Sequence, residues 1–290
     1  MSVDQLQKKI RKCNNPSVVD MTVPPDLIPA SVMEQEGSFL PACRVFSEAL
    51  LRGLSEIVPA VRFSMAAYLL RGAEGVTLLQ DLLKLSAELG YYVIVDVPEA
   101  LSVAGAEQFA NMLLEEQWQF DGAMLSCGIG SDALKPFLQM CKSKSKSVFV
   151  VVRTGNPSAS EFQDLMTGTR LSHMAVADMA GRLGQPYMEK CGYSSVGMLV
   201  SAASLSGLKN VRSKNTATFL LLDGYDYPNC NAKNCSFAFD NFGHGAAACA
   251  GRSILGAWQD EDRQSDDYVA EAVRSADRMK RNLTRYVNIL

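Results

Sequence analysis

Residues 91–101 read Tyr91-Tyr92-Val93-Ile94-Val95-Asp96-Val97-Pro98-Glu99-Ala100-Leu101. Aromatic and β-branched residues fill 91–95, and Gly90 stops the helical pattern ahead of them. Such a short apolar run reads as a strand buried on both faces. It ends on an acid, Asp96. A carboxylate at the C-terminal end of a buried parallel strand either caps the following helix or serves an active site. The stretch alone leaves both roles open.

The same alternation extends in both directions. Strands are expected at 17–22, 60–65, 91–96, 121–126, 147–154, 196–201, 216–222 and 245–250. Residues 147–154, SVFVVVRT, give the clearest of them. Helical periodicity fills 38–58, 75–89, 104–117 and 132–141, and a helical stretch follows the loop at 155–158 as far as 184. A last helix is expected at 266–287, and the N-terminus reads as the start of a polar amphipathic helix. Eight strand–helix units with no linker, repeat or low-complexity tract argue for an α/β fold. The expected form is a single (β/α)8 TIM barrel forming one domain over 1–290, with an open doubly wound sheet as the competitor. In a barrel the chemistry sits after the strands. The places to look are then Thr22, Arg62, 96–101, 126–132, 153–158, 223–228 and 251–253.

Composition narrows the function classes. The chain has 290 residues, 48% hydrophobic and 20% charged, with a net charge of −3. That argues against a nucleic-acid partner, which needs a basic face. The lysines at 142, 144 and 146 are few, lack aromatic neighbours, and read as a solvated turn. No apolar run approaches the roughly 20 residues that span a bilayer, so no membrane partner is expected. Eight scattered cysteines show no metal-ligand spacing. They read as reduced thiols of a cytoplasmic protein, with no metal, although Cys230 and Cys235 are close enough to pair in principle. His244, between two glycines, reads as a turn residue, and His173 receives no role.

The strand ends, taken in order, resemble the orotidine 5′-phosphate decarboxylase family in its longer bacterial form. The likeness covers nearly the whole chain. It rests on Asn156-Pro157-Ser158 with Glu161, Gln163, Asp164 and Leu165, and on Gly192-Tyr193-Ser194-Ser195-Val196-Gly197. It rests also on Gly243-His244-Gly245-Ala246 through Gly251-Arg252-Ser253-Ile254. Val58-Pro59-Ala60-Val61 with Tyr68, and the run from Gly130 to Phe137, add to it.

The resemblance implies a homodimer that uses no cofactor and binds a phosphorylated nucleotide. It also implies a lysine and carboxylate array: a Lys after strand two, then Asp-x-Lys-x-x-Asp and a Thr after strand three. The central Lys protonates the carbon that loses CO2, and the last Asp and the Thr serve the neighbouring subunit. In this sequence Asp96 keeps the first position, but Pro98 stands at the central lysine, Leu101 at the second aspartate and Gly105 at the threonine. Arg62 aligns with the strand-two lysine, keeping its charge but not its titration. Asp96 and Arg62 are therefore the candidate catalytic remnants. Glu99 beside Pro98 would repel a substrate carboxylate.

Thr22 aligns with the ribose-binding aspartate, leaving Asp20 two residues early. Thr154, Asn156, Pro157 and Ser158 retain the nucleotide loop. Gly224, Gly251 and Arg252 align with the phosphate seat, but Pro228 replaces its Gln. Asp223 and Asp226 fall where a phosphate would bind, and either could neutralise Arg252. The expected function is a family barrel deficient in orotidylate decarboxylation that retains phosphate, nucleotide or partner binding. The alternative is an active decarboxylase or related lyase of pyrimidine biosynthesis using relocated residues.

Overall fold

A computed structural model describes residues 2–260 and 267–290. Eight strands alternate with helices: β1 (Ser17–Asp20), β2 (Ala60–Ser64), β3 (Tyr92–Asp96), β4 (Gly122–Leu125), β5 (Ser147–Arg153), β6 (Ser194–Ser201), β7 (Thr218–Asp223) and β8 (Ala246–Ala250). They close into a barrel in the order β1-β8-β7-β6-β5-β4-β3-β2, every neighbouring pair parallel. This is the (β/α)8 barrel, and the open doubly wound sheet is overturned.

The twofold period of a strand sorts its side chains between two cores. Val19, Val61, Val93, Val95, Ala123, Val150, Val196 and Leu220 face the surrounding helices. Val18, Ala60, Tyr92, Ile94, Met124, Phe149, Leu199, Phe219, Leu221 and Ala247 pack together as a second core inside the barrel. Phe149 fits there because two facing positions are glycine. A Cβ at Gly122 or Gly197 would lie 2.8 or 2.6 Å from its ring, closer than packed carbons tolerate.

The N-terminal helix α1 (Ser2–Cys13) closes the bottom. Its Val3, Leu6 and Ile10 join the inner core. Ser2 Oγ lies 2.7 Å from the buried Tyr92 hydroxyl, which also meets Ser147 Oγ. Asp4 Oδ1 accepts from the Cys191 amide at 2.7 Å, and Glu189 Oε2 accepts from the Asp4 amide at 2.7 Å. These two charge-assisted bonds clip the helix to the segment ahead of β6.

Several local expectations change. β1 ends at Asp20 rather than 22, and β6 begins at Ser194 rather than 196. The stretch read as helical to 184 contains a small antiparallel hairpin, Met166–Thr167 with Arg170–Leu171, before the helix Ser172–Gly184. The last helix is observed at Tyr268–Thr284. Its expected first residue, 266, lies outside the described residues. Lys146 is not solvated: its ammonium donates to the Phe120 carbonyl and sits 4.7 Å above the Phe120 ring. No helix among the described residues is long and apolar enough to cross a membrane.

Candidate functional site

Strand parity places the charges. Asp20, Arg62, Asp96 and Asp223 each lie two residues beyond an inner-core residue (Val18, Ala60, Ile94 and Leu221) and so turn toward the barrel axis at its C-terminal mouth. Asp20 stands opposite Arg62 in the ladder, and their side chains form an ion pair only 19% and 15% exposed. Burial works against the Arg62 charge, but Asp20 beside it more than offsets this and holds the guanidinium above its ordinary pKa. Asp96 lies opposite Ser64 on the neighbouring strand. Burial pushes its carboxyl up to about 6; Arg62 pulls it down, while Asp20 and Asp223 push it further up. It is a group of the inner mouth, not a helix cap: the following helix, Val103–Leu113, is capped by Ser102, whose Oγ accepts from the Gly105 amide.

A cavity of about 490 Å3 opens above this layer. It is lined by Asp20, Thr22, Arg62, Asp223, Gly224, Asp226, Tyr227, Cys249, Gly251 and Arg252, among others. Thr22, Arg62, Gly224, Gly251 and Arg252 are thus brought together, and Asp20 joins them, since β1 ends there. Asp20 Oδ1 also accepts from the Thr22 amide at 3.0 Å, tying the two positions into one turn. The Cys249 thiol at the base is pushed up to about 12 by burial, so it stays protonated.

Arg252 departs from expectation. It pairs with neither Asp223 nor Asp226 but with Asp26, in an ion pair exposed on both sides. Asp26 lies in the short 3-10 turn Pro25–Leu27, far away in sequence, so only closure of β1 against β8 brings it near. Asp226 instead turns back on its own side of the mouth. Its Oδ2 accepts from the Gly251 amide at 2.7 Å, and its Oδ1 accepts from Ser253 Oγ. A protein carboxylate thus holds the backbone N–H assigned to an incoming anion.

Tyr227, which the sequence reading passed over, packs over the same opening. A Cβ at Gly155 would lie 2.3 Å from the Tyr227 ring, and one at Gly224 would lie 2.7 Å from it. Both glycines are needed for the ring to sit there. A glycine in each of two mouth loops facing a tyrosine was the only signal available in the sequence, and it has meaning only once those loops are known to meet.

The loop after β5 closes on itself. Thr154 Oγ1 donates to Asn156 Oδ1 at 2.5 Å, Asn156 Nδ2 donates to Ser158 Oγ at 2.9 Å, and Gln163 Oε1 accepts from the Thr154 amide at 2.8 Å. Thr154, Asn156, Pro157 and Ser158 do not line the 490 Å3 cavity. The loop is anchored by Arg153, which grips both oxygens of Asp164 at 3.0 and 2.8 Å. Hydrogen bonds from Arg153 hold the Asp164 carboxyl below its ordinary range. Nδ1 of the buried His173 lies 3.1 Å from Asp164 Oδ1 and 2.9 Å from the Gln163 carbonyl. His173, given no role from sequence, is part of this anchor.

Val97, just beyond β3, is buried, but the chain is exposed from Leu101 to Ala104. Leu101 is 87% accessible, and Glu99 Oε1 accepts from Ser126 Oγ at 2.8 Å. Among the described residues no lysine lines the cavity.

Fold and mouth together define a (β/α)8 barrel with a charged cavity at its C-terminal strand ends, the usual seat of small-molecule chemistry in this architecture. No family model matches the chain. Along nearly its full length, however, it is similar to orotidine 5′-phosphate decarboxylases. The Petrotoga mobilis enzyme is 26% identical over 278 residues, 94% of this chain and 96% of that one. The Clostridium novyi enzyme is 24% identical over 284 residues, 98% of each. The solved Leishmania donovani OMP decarboxylase superposes with a TM-score of 0.70 at 21% identity, covering 97% of this chain and 99% of that chain. The chain is thus similar to orotidine 5′-phosphate decarboxylases from end to end, and it shares their barrel fold.

Proposed function

We propose that this barrel does not decarboxylate orotidylate and that its mouth binds a polar small ligand lacking a phosphate. The observation that carries the proposal is the Asp226 carboxylate on the Gly251 amide. The seat that the resemblance assigns to phosphate is filled by the protein's own anion, while its arginine is neutralised by Asp26. A second observation supports the loss of turnover. Among the described residues the cavity lining supplies cationic groups only from Arg62 and Arg252, and a guanidinium does not release a proton in the neutral range. Pro98, at the position of the proton-donating lysine, has none to give. The remaining lining carboxylates, Asp20 and Asp223, suit hydroxyl or amine donors on a ligand.

The test is CO2 release from orotidine monophosphate together with thermal shifts by uridine, uridine monophosphate and inorganic phosphate. We expect no measurable CO2 and a larger shift with uridine than with its monophosphate. Turnover near that of a working decarboxylase overturns the proposal. Asp226→Asn separates the two parts, because it keeps the side chain's shape and removes its charge. Two unit charges about 4 Å apart repel by roughly 1–4 kcal/mol between bulk water and a protein surface. The exposed position favours the lower end, so monophosphate affinity should rise roughly tenfold.

One observation favours a second reading, a lyase using relocated residues. An Asp96 carboxyl raised to about 6 can hold a proton near neutrality and could act as the acid in place of a lysine. Any CO2 release should then fall as pH rises through 6 and vanish in Asp96→Asn. The exposed apolar side chains of Leu101, Ile129 and Phe162 on neighbouring mouth loops, with Val103 at the start of the helix that follows β3, support a homodimer through this face. Leu101→Asp should shift the mass seen by light scattering toward the monomer. Eight free thiols support a reducing compartment such as the cytoplasm.

A further inference from the structure

Cys230 and Cys235 are held at opposite ends of a short turn leading out of the mouth. Their sulfurs lie 3.9 Å apart, and neither is in a disulfide. The backbone fixes both. The Cys230 amide donates to the Tyr227 carbonyl at 2.9 Å, and the Tyr227 amide to the Gly224 carbonyl at 2.9 Å. The Cys235 amide donates to the Asn231 carbonyl at 3.1 Å, and Asn231 caps the helix Ala232–Ser236 by accepting from the Asn234 amide. Asn234 Nδ2 reaches back to the Asn229 carbonyl at 3.1 Å. Two linked turns thus present the sulfurs to each other, and the first of them also carries Asp226 and Tyr227 over the cavity.

We propose that Cys230 and Cys235 form a dithiol–disulfide site whose oxidation locks the turn carrying Asp226 and Tyr227. Closing the bond needs the sulfurs to approach from 3.9 Å to about 2.0 Å. The oxidant is a low-molecular-weight disulfide. The Cys230 thiolate attacks one of its sulfurs, forming a mixed disulfide and expelling one small thiolate. The Cys235 thiol gives its proton to that thiolate and attacks the Cys230 sulfur, displacing the second small thiolate, which takes up from solvent the proton that Cys230 released on ionising. Two protein thiols are oxidised, and one small disulfide is reduced to two thiols.

The roles follow from the environments. Cys230 is half-buried, and its hydrogen bond with Cys235 favours its thiolate. Cys235 is fully buried, and its own ionisation is opposed by the neighbouring Cys230 and by burial. Cys230 is therefore the attacking thiol and Cys235 the resolving one. The proposal is independent of which ligand the mouth takes.

Lys233 lies between the two cysteines, which makes the test direct. The whole protein is incubated with oxidised glutathione, quenched with N-ethylmaleimide and digested with trypsin without reduction. Cleavage at Lys233 separates peptide 215–233 from peptide 234–252 unless a disulfide joins them. We expect the joined pair, with fragment ions placing the link at Cys235 and not at Cys249, which shares the second peptide. The joined pair should vanish in Cys230→Ser and in Cys235→Ser but persist in Cys249→Ser. Oxidised protein should melt a few degrees higher than reduced protein. A glutathione adduct persisting on Cys230, a link to Cys249, or both thiols still alkylated by maleimide would each overturn the proposal.

Discussion

Replacing Asp96 with asparagine tests the electrostatics of the mouth in one measurement. Burial holds the Asp96 carboxyl at about 6 in the folded chain, against 3.8 for the free group. The folded state therefore binds this proton more tightly than the unfolded state does. The sign follows from linkage: Asp96 imposes no charge penalty well below pH 3.8, the penalty grows between pH 3.8 and about 6 as the unfolded chain ionises first, and it is complete and constant above that. Above pH 7 the ionised carboxylate costs on the order of 3 kcal/mol, at 1.36 kcal/mol per pKa unit. Asparagine has the same shape and no charge. Relative to the parent, Asp96→Asn should be nearly neutral at pH 4 and more stable at pH 8, by up to about 3 kcal/mol. For a chain of this size that corresponds to a melting temperature roughly 4–8 °C higher. Urea titrations of both proteins at pH 4, 5, 6, 7 and 8 give the difference directly, and any altered hydrogen bonding by the amide cancels across the series. A stability difference that does not change between pH 4 and 8 would refute the reasoning, because the Asp96 charge would then be as well solvated in the barrel as in the unfolded chain.

Three further outcomes follow from the packing. Arg62→Met leaves Asp20 and the neighbouring Asp96 and Asp223 without their shared cation, so chemical denaturation should show a loss of about 3–5 kcal/mol. Gly155→Ala drives a methyl group into the Tyr227 ring and should cost about 1–3 kcal/mol; adding Tyr227→Ala should recover most of that loss, and a double-mutant cycle with no coupling would separate the two loops. Leu6→Ala opens a hole under the inner core, where Leu6 is fully buried, and should cost about 3 kcal/mol by urea unfolding.

Much of the barrel was legible because a buried parallel strand carries its own signature. A continuous β-branched run such as 147–154 can be satisfied only by burial on both faces, and eight short apolar runs alternating with helical periods leave few architectures. The two-residue hairpin strands at 166–171 were not legible, because so short a ladder has no period. The end of β1 was misjudged for a related reason. Residues 17–23 are mostly apolar past Asp20, and only hydrogen bonding to β2 and β8 decides where pairing stops.

The candidate site divides along the same line. Parity along each strand is a one-dimensional property, so the sequence by itself determined that Asp96 ends one barrel strand and Arg62 lies within another, and that Pro98 and Leu101 follow Asp96 where a resembling family carries charge. Which charges meet is a three-dimensional property. Closing the sheet sets β1 against both β2 and β8, and that closure delivers Asp20 to Arg62 and Asp26 to Arg252 across more than 40 and 220 residues. It also folds Asp226 onto Gly251 and Tyr227 onto Gly155. Only the tertiary structure could decide these partners, because electrostatic and steric contact depend on distance in space, and chain separation carries no information about it once a barrel has closed.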